Sequence, residues 1–116
     1  MLWELHASSV EGSHELREHV ERRLMFALSR FGNRITKTIV YLADNNGPKS
    51  GIDKSCQIVV RMRGFKQIVA EVVDADWVVA VDRATTRIGH NVSRQIERRR
   101  EFEHESAAGV STPDEE

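Results

Sequence analysis

The chain is short of most residues that would make it a disulfide scaffold, a metalloprotein or a membrane protein. Its 116 residues include one cysteine, Cys56, so no internal disulfide can form. Cys56 alternates with Ile58, Val60 and Met62, which reads as a small core residue in a strand rather than a nucleophile. No stretch approaches the roughly 20 apolar residues of a membrane span, and the start Met1-Leu2-Trp3-Glu4-Leu5-His6 lacks the basic-then-apolar pattern of a signal peptide. A cytoplasmic protein with no membrane partner is expected. The five histidines, at 6, 14, 19, 90 and 104, form neither HxxxH nor HExxH, and His14 and His19 do not share a helix face, so no metal site is expected. Gly47-Pro48-Lys49-Ser50 lacks the GxxxxGK[ST] spacing of a phosphate loop. With no nucleophile, metal or acid-base constellation, the residues predict a non-enzyme with no cofactor and no small-molecule substrate. Aromatics make up only 6% of the chain, which disfavours reading of single-stranded nucleic acid by ring stacking.

The chain does have charge, and it is unevenly placed. The formal net charge is only −1, from 17 Lys and Arg against 18 Asp and Glu. Residues 1–100 nevertheless hold all 17 basic residues and 12 acids, a net of +5, whereas residues 101–116 hold six acids and no Lys or Arg. A basic domain carrying an acidic tail follows. We place the domain at 1–104 and the tail at 105–116, and expect the tail to be disordered because it has little apolar surface to offset its ordering entropy.

Within 1–104 the pattern reads β-α-β-β-β-α. Leu2 to Ala7 alternates as a short strand. Ser13 is a natural N-cap for a helix with Leu16, Val20, Leu24, Ala27, Leu28 and Phe31 on one face, stopped by Gly32. Ile35–Ala43, Cys56–Met62 and Gln67–Val73 are rich in β-branched residues, with a loop at Asp44–Gly51 and a tighter turn at Arg63–Lys66. The predicted fold is α+β: a two-layer sandwich with two helices on one face of a four-stranded sheet. The first β-α-β unit should be parallel by a right-handed crossover, and the hairpins antiparallel. Lys37, Arg61 and Arg63 are candidates for the open sheet face or its edge.

The last helix, from Asp76 to Arg100, carries the main signal. Arg83, Arg87, His90, Arg94 and Arg98 follow at spacings of four, three, four and four, within an arc of roughly 80°. Trp77, Val78, Val81, Ala84, Ile88, Val92 and Ile96 should lie opposite, against the core. A merely solvated helix face mixes signs for i,i+4 pairing, but no carboxylate interrupts this arc between 83 and 96. Arginine forks bind phosphate bidentately, and a row about 22 Å long matches a phosphodiester backbone better than a small ligand. The residues leave two readings open, nucleic-acid binding by shape and backbone, or a protein-interaction module whose basic face docks an acidic partner.

Several segments, in order and at matching spacing, resemble the ribosome hibernation promoting factor and ribosome-associated inhibitor A family. They are Leu16-Arg17-Glu18, Phe31-Gly32-Asn33-Arg34-Ile35, Asn46-Gly47-Pro48-Lys49 with Gly51, Asp53-Lys54 and Cys56, and Ala75-Asp76 with Ala80-Val81-Asp82-Arg83-Ala84. The resemblance implies the same β-α-β-β-β-α order with helices arranged as in double-stranded-RNA-binding domains. It also implies a partner, the small ribosomal subunit and its 16S rRNA, where the protein would sterically silence translation in stasis or stress. Carried over residue by residue, Arg87, Arg94 and Arg98 become the leading rRNA contacts, with Asn91 a polar amide beside them. His90 stands where the family often has Arg or Lys. Arg23 and Arg30 on the first helix are further contacts, with Lys37, Lys49, Lys54 and Arg61 as lesser ones and Arg83 at the end of the row. The longer members' C-terminal dimerisation domain is expected to be missing.

Overall fold

A computed structural model describes residues 2–8, 14–44 and 54–108. The elements are β1 (Trp3–Ser8), α1 (His14–Leu28), a 3₁₀ turn at Ser29–Arg34, β2 (Ile35–Asp44), β3 (Lys54–Met62), β4 (Ile68–Asp74) and α2 (Trp77–Ala108). Sheet order is β1-β2-β3-β4, with β1 parallel to β2 and the other two pairs antiparallel, as the sequence predicts. The expected N-cap Ser13, Lys49 and most of the expected loop lie outside the described residues.

Period-two alternation sorts the strands into two faces. Val40, Leu42, Cys56, Ile58, Val60, Met62, Ile68, Ala70 and Val72 turn toward the helices, where Val20, Leu24 and Leu28 of α1 and Ala80, Val81, Ala84, Ile88, Val92 and Ile96 of α2 meet them. The opposite face carries Glu4, His6, Lys37, Tyr41 and Arg61, and the pairing of Ile39 with Val59 buries both there by cross-strand contact. Cys56 is fully buried, and burial pushes its thiol from an ordinary 9.0 up to about 12. A thiol reagent should therefore leave the native protein unlabelled and react at once on denaturation; labelling of the folded chain would contradict this. The same shift gives a sign for pH. Stability from the neutral buried thiol is complete below about pH 9 and lost as pH rises toward 12, since only the unfolded state ionises early.

Both helices differ from their sequence reading at the ends. The α-helix α1 stops at Leu28, and the stop expected at Gly32 becomes a 3₁₀ turn kinked at that residue, whose φ of 56° a side chain would resist. Helix α2 starts on a well-made cap, where the Asp76 Oδ1 accepts the Val78 and Val79 N–H groups at 2.8 and 3.3 Å. It does not end at Arg100 but runs to Ala108, so the domain boundary drawn at 104 falls inside it, while residues 109–116 lie outside the described residues. Val78, assigned above to the core face, is 45% exposed, and the buried Thr85 takes part in that face instead, its hydroxyl satisfied by the Val81 carbonyl at 2.9 Å. The helices are in close contact at Gly89, where an added Cβ would sit 3.4 Å from the Ala27 carbonyl oxygen. Alanine fits there with small displacement, but Gly89→Leu must part the helices and should cost about 1–3 kcal/mol in chemical denaturation. A leucine variant as stable as Gly89→Ala would contradict the close approach.

Candidate nucleic-acid interface

The cationic ladder of α2 does not face straight out to solvent. It runs along the flank of the helix that overhangs β4, the edge strand. Arg87 Nη1 donates to the Glu71 carbonyl at 3.0 Å, and Asn91 Nδ2 donates to the Val69 carbonyl at 3.4 Å. Two outward carbonyls of β4 are thus capped by side chains of α2, which blunts the edge against pairing with another strand. Arg83 Nη1 lies 3.6 Å from the half-buried Asp74 Oδ2 at the start of α2, a long contact from an exposed guanidinium that contributes little to stability. The upper part of the ladder therefore has structural partners.

Its lower part does not. Arg94 and Arg98 are exposed and make no side-chain hydrogen bond or ion pair among the described residues. They line an open groove of about 400 Å³ between α2 and the start of β4, together with Lys66, Gln67, Val69, Asn91 and Gln95. Arg87 has four further N–H donors beyond the one given to Glu71, so it can hold the sheet edge and still face an anion. No carboxylate lines this groove.

His90 is displaced from the row. It falls on the other flank of α2, in a groove of about 230 Å³ shared with Arg23, Phe26, Ala27, Arg30, Thr86 and Gly89. Arg30 also lines the neighbouring depression, with Phe31, Arg34, Ser93, Ile96, Glu97 and Arg100, so the seam between the helices is continuous. Arg23 is held at the helix contact rather than free. Its Nε lies 3.3 Å from Asp82 Oδ1, close enough for an ion pair but misaligned for a hydrogen bond, and its Nη2 donates to Thr86 at 3.4 Å. His19 shares the same carboxylate at 2.7 Å. Arg30 lies over Phe31, 4.8 Å from the ring centroid.

The lesser candidates are scattered. On the open sheet face Lys37 pairs with Glu4 at 2.7 Å, and Arg61 stands beside it in register. Lys37 and then His6 hold the Glu4 carboxyl below its ordinary value of 4.5. Lys54 lies near the α2 start, 3.7 Å from Asp44 and 5.8 Å from the Trp77 ring centroid. Neither Lys37 nor Arg61 lines the two helix grooves. Residues missed by the sequence reading are Lys66, Arg34 and Arg100, which join those grooves, and Arg99, which donates to the Gly64 carbonyl at 2.8 Å and stacks on Phe65 at 4.1 Å. A helical wheel separates Arg100 from the four arginines of the ladder by about 100° or more, but nothing local shows that α1 lies on that side. Among the described residues no group of three or more His, Cys, Asp or Glu is placed to hold a metal ion, and no helix is long and apolar enough to cross a membrane.

Fold and charge together define an α+β sandwich whose helical layer is lined with arginine. The family model described as sigma 54 modulation protein / S30EA ribosomal protein matches residues 4–100, and the chain belongs to that family. Among solved structures, it is similar to a ribosomal subunit interface protein from Coxiella burnetii at 20% identity, covering 84% of this chain and 99% of that one with a TM-score of 0.72. It is also similar to the Protein Y N-terminal domain of Thermus thermophilus at 24% identity, covering 78% and 92% with a TM-score of 0.64. At these identities the two likenesses speak for the fold. No curated protein sequence gives a significant match.

Proposed function

We propose that this chain is a ribosome-associated translation inhibitor of the hibernation type. It binds the small ribosomal subunit through 16S rRNA, and its bulk then blocks the mRNA and tRNA sites during stasis or stress, with no chemical step. The observation that carries the reading is the freedom of Arg94 and Arg98, two exposed guanidinium groups in a groove without a carboxylate. Membership of a family whose name includes a ribosomal protein supports it, as does likeness to a protein named for the ribosomal subunit interface. The chemistry is that of arginine forks meeting phosphate oxygens, with Arg94, Arg98 and Lys66 on one flank of α2 and Arg30, Arg34 and Arg100 on the other. A cytoplasmic site of action follows from this partner.

Pelleting with purified small subunits over a salt series tests the reading. If about five phosphates are neutralised, affinity should fall on the order of 500-fold between roughly 50 and 200 mM salt. A flat response would mean that phosphate contacts do not hold the complex. Docking of the same face on an acidic protein is separated by ribonuclease, since digestion should release the partner only if RNA is the partner.

A further inference from the structure

The seam between α1 and α2 contains an aromatic ring that folding does not use. Phe26 is 79% exposed on α1, although a ring left in water contributes no burial and a lysine or glutamate would suit an exposed helix position better. The Arg23 guanidinium lies 5.7 Å from its centroid, and Arg30 and His90 line the same groove. Small residues, Ala27 and Gly89, form the floor.

We propose that this groove takes an unpaired RNA nucleotide, its base stacked on Phe26 and its flanking phosphates met by Arg30 and His90. The inference rests on the RNA-binding reading above and adds a second mode of contact, since the groove beside β4 offers charge but no ring. Arg23 is parked by Asp82 at 3.3 Å and Thr86 at 3.4 Å, so it stays on one side of the Phe26 ring and leaves the rest of the ring surface open. Asp82 thereby neutralises Arg23, and phosphate binding passes to Arg30, which has no carboxylate partner among the described residues. An apolar protein partner fits less well, because a single exposed ring beside the Arg30 guanidinium is too small to form the core of a protein interface. A base has a π-face of the right kind whatever its identity, and cation rims with aromatic platforms are how unpaired strands are held.

The test uses the full chain and a short fluorescein-labelled single-stranded RNA, alone or annealed to its complement. Phe26→Ala should weaken single-strand binding about tenfold or more and leave duplex binding within about twofold, while Phe26→Trp should bind as well as the parent and show quenched fluorescence on stacking. Absence of single-strand binding by the parent, equal binding by Phe26→Ala, or equal losses on both RNAs would overturn the inference. So would a Phe26-dependent complex with a poly-glutamate peptide that excludes the RNA, which would make the groove a protein site. The exposed position means that the alanine variant keeps the fold, as circular dichroism can verify. Ribosome pelleting in parallel separates the two readings. Intact ribosome binding with no Phe26 effect removes only the nucleotide pocket, and a Phe26 effect on single strands without ribosome binding removes only the hibernation reading.

Discussion

Charge reversal of Arg94 and Arg98 together, Arg94→Glu with Arg98→Glu, is expected to weaken binding to small ribosomal subunits by at least about 100-fold while leaving far-UV circular dichroism unchanged. Hydrogen bonds to charged groups contribute about 1.5–3 kcal/mol each, so loss of two such contacts accounts for that factor before repulsion is added. The fold should be indifferent because neither side chain has a structural partner among the described residues. Arg87 is a less clean position. Arg87→Glu removes the donor from the Glu71 carbonyl and sets a carboxylate near the β4 edge, so binding and stability should fall together. A sedimentation assay with both variants separates these effects. Unchanged binding by the Arg94/Arg98 variant would move the interface off the groove beside β4.

Replacement of Ile88 by alanine is expected to cause the largest loss of stability. Ile88 is fully buried at the centre of the α2 face that packs on the sheet, within the core that includes Ala84, Val81 and Val92. Deleting its side chain leaves a cavity that the flanking helix and strands can close only in part, at a cost of about 2–5 kcal/mol. In a domain whose total stability is on the order of 5–15 kcal/mol, thermal melting should drop by roughly 10–25 °C. Val78→Ala is the matched control. Its side chain is 45% exposed, and its melting temperature should stay within a few degrees. Equal behaviour of the two variants would contradict the packing of α2 described above.

These two experiments fall on different faces of one helix, and the sequence was informative about them to different degrees. The buried face of α2 was legible because period-3.6 spacing of Val81, Ala84, Ile88, Val92 and Ile96 is a local signal. Element order was legible for the same reason, and a strand-helix-strand unit implies the parallel pairing that β1 makes with β2. The C-terminal run of α2 was not, because Glu101 and Glu103 read as the start of an acidic tail. Yet Arg, Glu and Ala propagate a helix well once one is formed, and α2 continues to Ala108.

The site was legible as a ladder but not as a surface. Spacing placed four arginines and a histidine on one arc; it could not show that Glu71 and Val69 present carbonyls to Arg87 and Asn91, nor that His90 turns toward α1. Those are tertiary facts, set by where β4 and α1 pack against α2. For the same reason Arg34 and Arg100, far apart in sequence, came together in one depression that no local pattern marks. What began as a uniform row is better described as a division of labour. Arg87 and Asn91 cap the sheet edge, Arg83 lies beside Asp74 in a weak pair, and Arg94 and Arg98 remain available.

The proposed seat of the protein on the small ribosomal subunit is its arginine-lined helical layer. Sedimentation of the unmodified chain with purified 30S particles through a sucrose gradient tests it most directly. The chain is expected to migrate with the particles at low salt and to return to the top of the gradient as salt rises. A chain that stays at the top at every salt concentration would contradict it.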